Sequence, residues 1–375
     1  MRAMILAAGY GTRLWPLTAD RAKPALPFLG RPLVGYVAEY LARHGCREVA
    51  VNLHHQPESV CAALGDGERF GVRLTYFAEP TILGTSGALD NARAFLSSDT
   101  FIVINGKLAT DIDLAAAVAT HRRTGALATL VLRRNVEHER YTIVRTRGDW
   151  YDGLGGFPSP PSDNAGDAPR VPQSNEPAGT DQETTRGTTD DSVTRSTSAD
   201  SAIRNPQSAI EDSASDAPLM FTGIHVLEPR IFDYIPRGVF SDSITDVYPA
   251  AMRAGERIAA HVAVGYWYEL STVPRYLDTS LALMRREGRD VDLSPGAVVE
   301  PGADVHDAVL WEDAHVAAGA RLRRVVIGAG VRVAAGAVFE NAVVVRAELV
   351  RGVERPAKGL AGAFEGEYFV APLPG

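Results

Sequence analysis

Near the N-terminus the chain places two glycines, a hydroxyl and two cations in one short run: Gly9, Gly11, Thr12, Arg13 and Lys23, within MILAAGYGTRLWPLTADRAKPALPF. Glycine has no Cβ, so backbone N–H groups there can approach a ligand closely and surround phosphate oxygens. Arg13 and Lys23 add the fixed positive charge that a polyphosphate requires. The chemistry this spacing serves is phosphate binding. Two other phosphate motifs are excluded, because Leu14 stands where the dinucleotide pattern needs a third glycine and no Gly-Lys-Ser/Thr loop occurs.

The elements around this run must hold it at one edge of a sheet. Met4 to Ala8 reads as a buried strand leading into the glycines. Leu33, Val34, Val37, Ala38 and Leu41 fall at helical spacing, and Gly45 suits the C-terminal cap. Val49, Val51 and Leu53 alternate as a strand, and His54 and His55 follow it. Adjacent histidines on a strand point to opposite faces, which disfavours a shared metal. A helix over Pro57 to Leu64, a strand over Val72 to Phe77, a helix over Gly87 to Phe95 and a strand over Thr100 to Ile104 come next. Asp113 to Thr124 reads as a capped helix and Ala128 to Leu132 as a strand. The alternation implies a parallel, doubly wound sheet with helices on both faces. Ligands of such sheets sit at the carboxyl ends of the strands, where the loops Gly9–Lys23, Glu79–Gly87 and Asn105–Asp113 would lie.

From Pro158 to Pro218 polar residues, glycine and proline dominate with no period, which reads as a disordered insertion. Beyond it a strand is expected over Phe221 to Leu227, helices over Pro229–Ile235 and Ser243–Arg253, and a strand over Ile258–Val264. A loop over Tyr266–Arg275 and a helix to Arg286 follow. The last third repeats: Val305 to Leu310 realigns with Leu322 to Ile327 and with Phe339 to Val344, and Gly302, Gly319 and Gly336 mark corners. Such a period fits a hexapeptide-type parallel β-helix, whose coils bury their inward aliphatics only by stacking. The expected domains are 1–157 with 219–286, the insertion 158–218, the β-helix 291–350, and a tail 351–375 with no assigned structure. His306 and His315 on the coils raise an acyltransferase reading, with solvated side chains as the simpler one.

At 375 residues with 45% hydrophobic content the chain can bury a sizeable core, and no apolar run approaches the ~20 residues of a membrane span. A formal charge of −8 argues against nucleic-acid binding. Cys46 and Cys61 form neither a disulfide framework nor a metal spacing. With no signal peptide apparent, a cytoplasmic location is expected.

The run Leu6-Ala7-Ala8-Gly9-x-Gly11-Thr12-Arg13-Leu14-x-Pro16-Leu17-Thr18, then Lys23-Pro24 and Pro27, resembles the signature of the sugar-phosphate nucleotidylyltransferases (NDP-sugar pyrophosphorylases). In layout the chain is similar to the mannose-1-phosphate guanylyltransferases. Ala22 stands where the family usually has proline. Leu83-Gly84-Thr85-Ser86-Gly87-Ala88-Leu89 resembles the family's second motif. The resemblance implies a doubly wound, Rossmann-like mixed sheet of the nucleotidyltransferase, GT-A-like type, followed by a left-handed parallel β-helix. It implies that a sugar 1-phosphate attacks the α-phosphorus of an NTP and expels pyrophosphate. Gly9, Gly11 and Thr12 would hold phosphates, Arg13 the leaving pyrophosphate and Lys23 the α-phosphate. Leu6, Ala8, Glu79 and Gly84 would meet the nucleobase, and Asn105 and Gly106 the substrate. A homo-oligomer through the β-helix is a further expectation.

The family's Asn-Gly-Asp, whose aspartate holds Mg²⁺, is Asn105-Gly106-Lys107 here. A protonated lysine has no lone pair for a metal. The second metal aspartate is replaced by Glu269 in Trp267-Tyr268-Glu269, which keeps a carboxylate one methylene further out. Asp111 is a candidate displaced ligand, and Asp113 a ligand or a helix cap. A Glu-Lys-Pro motif expected at Phe157 to Pro160 is absent. Several readings follow: a nucleotidylyltransferase acting on an NTP and a sugar 1-phosphate, one in which Lys107 supplies positive charge where Mg²⁺ would sit and catalysis is altered or weak, or a catalytically impaired relative that binds an NDP-sugar as a regulatory subunit.

Overall fold

The computed structural model describes residues 1–158 and 216–374. The expectation for 158–218 lies outside the described residues except at its flanks. There Pro218 accepts from the Asn135 amide at 2.8 Å and Ala217 from Arg134 at 3.2 Å.

Nine strands form the main sheet, in the order Arg73–Ala78, Glu48–Leu53, Arg2–Leu6, Phe101–Asn105, Leu219–Leu227, Ala128–Arg134, Ile258–Val262, Trp150–Leu154 and Val144–Arg147. The first four pair parallel, as the alternation requires. Beyond them the sheet is mixed, as the resemblance implies. Leu219–Leu227 runs antiparallel to both neighbours, and Trp150–Leu154 is antiparallel to Ile258–Val262. The sheet is therefore mixed and Rossmann-like.

Apolar periodicity set helix Leu33–Arg43 where expected, while the helix expected over Gly87–Phe95 is two, Gly84–Asn91 and Arg93–Leu96. Leu33, Val34, Val37, Ala38 and Leu41 of helix Leu33–Arg43 are all essentially buried. Gly45 takes a left-handed φ of 81°, and the Cys46 amide closes the helix end on Leu41 at 3.0 Å. Asp113 is a helix cap, its carboxylate accepting from the Ala115 amide at 2.8 Å. Three further expectations need correcting. Pro229–Asp233 is a 3₁₀ turn, Ser243–Val247 is one π-type turn before helix Tyr248–Arg253, and Trp267–Glu269 is a strand rather than loop. That strand exists because it pairs antiparallel with Leu108–Thr110, a partner no local window contains.

The C-terminal third is a parallel β-helix whose strands align seventeen residues apart: Asp304 with Arg321 with Val338, and Leu310 with Ile327 with Val344. The parallel coils are consistent with a left-handed β-helix. Left-handed corners recur at Gly296, Asp313 and Gly330 and at Asp307, Arg324 and Asn341, besides Gly302, Gly319 and Gly336. The corner at Arg324 costs strain that a glycine would avoid, and Asn and Asp accept such φ more readily. The tail is ordered: Tyr368–Pro372 adds antiparallel to the last coil strand Val338–Arg346, and Ala363–Glu365 pairs with it.

A second core joins the two domains. Tyr276 of helix Val273–Arg286 is fully buried, donates its hydroxyl to the Pro27 carbonyl and accepts from Trp311 Nε1 at 3.0 Å. Arg21 lies 5.1 Å above the Trp311 ring and pairs with Glu312 at 3.0 Å. Trp15 meets Phe369 edge to face at 5.3 Å, and its carbonyl accepts from the Leu360 amide at 3.2 Å. The loop that carries the glycines and cations is thus braced from below by the β-helix and its tail.

Candidate active site

Strand Arg2–Leu6 ends beside the end of Phe101–Asn105, with Leu6 opposite Asn105. The Gly106 amide donates to the Leu6 carbonyl at 2.9 Å, and a Cβ on Gly106 would sit 2.9 Å from Ile5 Cγ2 and 3.0 Å from that carbonyl. Only glycine lets these strand ends close. Asn105 in turn fills the space left by Gly223, where a Cβ would stand 2.2 Å from its side-chain nitrogen. Ala8 is buried and Leu6 partly so at the base of the same edge.

The loop turns at Gly11, whose φ is 67° and whose Cβ would lie 3.0 Å from Lys23 Cβ. Gly11 therefore meets both demands, a left-handed turn and the close approach of Lys23. Gly9 faces open space, and Thr12 and Arg13 are exposed. Tyr10 sits against His54 and His55 at ring separations of 5.3 and 5.6 Å, and its hydroxyl is 3.1 Å from His54 Nε2. His54 Nδ1 bonds the Glu79 carbonyl at 2.7 Å. The histidine pair seats the loop and holds no metal geometry.

Glu79 is 3% exposed. One carboxylate oxygen accepts from Asn52 at 2.7 Å and the other from the Leu83 amide at 3.0 Å, while Asn52 accepts from the Ala7 amide at 2.7 Å. The chain Ala7–Asn52–Glu79–Leu83 ties the signature strand to the second motif. Sequence reasoning missed Asn52, which carries no motif of its own. Gly84, at φ 75°, leaves room for the Ser241 carbonyl, which would lie 2.5 Å from a Cβ there. Thr85 and Ser86 then bond Asp242 and Ser243 at 3.0 and 2.8 Å. The second motif thus docks the segment 239–243 as well as facing the site.

The Lys107 ammonium is ion-paired with one oxygen of Glu269, brought together because Glu269 pairs across the ribbon with Leu108 and the Leu270 amide donates to the Lys107 carbonyl at 2.8 Å. The other Glu269 oxygen accepts from the Tyr141 hydroxyl at 2.9 Å. Arg275 donates to that hydroxyl and to Glu139 at 2.5 Å. Burial raises the Glu269 carboxyl, but Lys107 and the Tyr141 hydrogen bond outweigh it and hold the group below its usual range. Tyr141 and Arg275, which sequence reasoning did not single out, complete this network. Burial, then the nearby Lys107 and Arg13 charges, lower the Lys23 amine to about 8, against a smaller opposing pull from Glu269. Lys23, Lys107, Glu269 and Arg13 therefore share one field.

The Mg²⁺ that the resemblance implies does not fit these residues. Lys107 offers no lone pair, and Glu269 has one oxygen on an ammonium and the other on a phenol. Asp111 does not join them. It lies past Thr110 at the opposite end of the ribbon, about 10 Å along the strand from Leu108 at ~3.3 Å per residue, and its carboxylate accepts from the Tyr266 amide at 2.6 Å. Asp111 is a loop tie, not a displaced ligand. No group of three or more His, Cys, Asp or Glu side chains placed to hold a metal occurs among the described residues. On the β-helix, His306 and His315 pair with Asp290 at 2.7 Å and Glu300 at 3.1 Å, as surface side chains do.

Residues 2–154 match the nucleotidyl transferase family and residues 288–348 the GlmU-like C-terminal hexapeptide family. The chain is 29% identical to the UTP–glucose-1-phosphate uridylyltransferase of Synechocystis sp., over 84% of this chain and 72% of that protein. It is also 29% identical to the mannose-1-phosphate guanylyltransferase of Mycobacterium tuberculosis, over 90% of this chain and 83% of that one. The crystal structure of HddC from Yersinia pseudotuberculosis aligns at a TM-score of 0.54 and 16% identity, over 75% of this chain and 99% of that one, a likeness of fold alone. No helix among the described residues is long and apolar enough to cross a membrane. The two family matches fall on the two domains that the architecture defines, a nucleotidyl transferase match on the main sheet and a GlmU-like hexapeptide match on the β-helix.

Proposed function

We propose that this protein transfers the NMP unit of a nucleoside triphosphate to a sugar 1-phosphate, giving an NDP-sugar and pyrophosphate. The observation that carries the reading is the pair of cations Arg13 and Lys23, which make no ion pair or side-chain hydrogen bond among the described residues and flank the Gly9–Gly11 turn. A phosphate oxygen of the sugar 1-phosphate forms a new bond to the α-phosphorus as the α–β bridging P–O bond breaks. The electron pair leaves on pyrophosphate, and no proton need move because the attacking oxygen is already anionic. Arg13, exposed beside the glycine turn, suits the leaving pyrophosphate. Lys23, half-buried and lowered to about 8, is still largely protonated at neutral pH and suits the α-phosphate. Glu79 acts through Leu83 and Gly84 to shape the base pocket. The relatives differ in base and in sugar, so both substrates are left at class level. A cytoplasmic setting and a homo-oligomer through the β-helix belong to the same reading, the latter checked by the mass in solution.

A second reading, a sugar-nucleotide-binding subunit without turnover, draws on the Lys107–Glu269 pair. The test is pyrophosphate release from each NTP and sugar 1-phosphate pair, alongside calorimetry with NDP-sugars. Release that Lys23→Met abolishes supports the transferase. Binding without release under every pairing favours the subunit, and neither binding nor release rejects both.

A further inference from the structure

We propose that this site takes up nucleotide phosphates without a divalent cation, with the Lys107 ammonium supplying the charge that a metal would. The inference rests on the nucleotide-site reading above and adds how that site is neutralised.

Three observations converge. Lys107 and Glu269 are held face to face by backbone pairing of their strands, so the ion pair is built into the ribbon and not a chance surface contact. Their side chains are 25% and 12% exposed, enough for a ligand to reach the ammonium but not enough for water to screen the pair fully. Lys107 follows Gly106, whose amide bonds the Leu6 carbonyl where the signature loop begins, and Gly11 of that loop packs against Lys23, so the ribbon and the loop cations meet at the same strand ends. Arg13, Lys23 and Lys107 against the single Glu269 leave a surplus of positive charge facing an open glycine turn.

A divalent cation entering here would meet that surplus. It would have to displace an ammonium from Glu269 or a phenol from its other oxygen, and it would gain one carboxylate. Magnesium at nucleotide sites is held by one or two free carboxylates together with phosphates and waters, and here both oxygens of the one carboxylate, Glu269, are already engaged. A polyphosphate meets the opposite situation. It brings the negative charge that Lys23 and Arg13 lack, and Lys107 needs only to share its three donors between Glu269 and a phosphate oxygen. Tyr141 and Arg275 keep Glu269 in place while this happens, so the carboxylate positions the lysine.

The full-length protein is titrated calorimetrically with ATP, CTP, GTP, UTP and dTTP in turn, once with excess Mg²⁺ and once with EDTA. For any nucleotide that binds, the wild-type affinity is expected to agree within about threefold between the two conditions. Lys107→Gln is expected to weaken binding by about tenfold or more in both, the scale of one lost charge-assisted hydrogen bond. Lys107→Arg, which keeps the charge, retains binding and guards against a folding defect in the glutamine variant. The double variant Lys107→Asp, Glu269→Asp is expected to bind only with Mg²⁺ or Mn²⁺ present, and to take up Mn²⁺ alone by electron paramagnetic resonance where the wild type does not. A wild-type affinity that falls about tenfold or more in EDTA overturns this proposal and leaves the nucleotide site standing. Failure of every nucleotide to bind in either condition overturns the nucleotide-site reading itself, and this proposal with it.

Discussion

The two sets of cations at the candidate site are built in opposite ways. Arg13 and Lys23 approach the glycine turn with no counter-charge of their own, whereas Lys107 faces Glu269 and the network behind it, Tyr141, Arg275 and Glu139. Neither arrangement follows from stability alone. A half-buried lysine without a partner weakens the fold, because burial disfavours its charged form and lowers its pKa. An ion pair inside a cleft does little better than break even against desolvation. The contrast shows which charge is kept open for something that arrives and which has already been answered inside the chain. The signature side keeps its charge open, and the ribbon side carries a pair that neutralises itself where the resemblance implies two metal-binding acids.

The largest effect should come from breaking the answered side. Lys107→Asp leaves two carboxylates face to face with no ammonium, and we expect a loss of about 2–4 kcal/mol in unfolding free energy, somewhat below the full cost of halving a buried pair. Added Mg²⁺ should restore part of it, because the new carboxylate supplies the oxygen ligand that lysine cannot. Denaturant melts with and without Mg²⁺ measure this. An unchanged midpoint would mean that Lys107 and Glu269 are uncoupled in solution.

Removing the open side should do the reverse. Arg13→Ala is expected to cost about 1–3 kcal/mol in nucleotide affinity and to leave stability within about 0.5 kcal/mol, since the side chain is exposed and unpaired. Calorimetry against a thermal melt separates the two quantities. A variant that binds as tightly as the wild type would take Arg13 out of the site.

Lys23 offers a finer test through pH. Its folded pKa of about 8 lies below the ordinary value of 10.5, so between those values the unfolded chain binds the proton that the folded chain has released. Its contribution to stability therefore rises as pH climbs from about 8 to about 10.5, and it is a cost at neutral pH. Lys23→Met should stabilise the protein at pH 7 by about 1–2 kcal/mol, less than the full shift implies because the site admits some solvent. That gain should shrink toward pH 10.5. Nucleotide binding needs the charged amine, so wild-type affinity should be flat below about pH 8 and fall above it by up to about tenfold per unit. A pH-independent difference between wild type and variant would rule out the shift.

The smallest effect concerns the brace between the domains. Tyr276→Phe removes a hydroxyl shared between the Pro27 carbonyl and Trp311 Nε1. Because both partners are then left dry, we expect about 1–2 kcal/mol of lost stability and little change in nucleotide affinity. A large loss of affinity with stability intact would show that the β-helix sets the loop geometry more directly than the active-site contacts do.

Local chemistry along the chain determined much of this by itself. Gly11 and Gly106 sit where a Cβ would strike Lys23 or Leu6, so the residue type already carries the geometry. The seventeen-residue period needs only stacking to become a β-helix, and Asp113 caps its helix through its own next turn. Periodicity and capping act over one or two turns, which is why such features are legible in a linear string. The antiparallel return of Leu219–Leu227, the strand Trp267–Glu269 and the order in the tail depended on partners far away in the chain. Asn52 and Tyr141 acquire roles only beside Glu79 and Glu269, and Asp111 loses its role because the ribbon carries it to the far end. Above all, the sequence shows a lysine and a glutamate where two acids are expected, separated by more than a hundred and fifty residues. Only the pairing of two short strands brings that lysine and that glutamate into contact, because charge complementarity acts through space and leaves no mark on spacing.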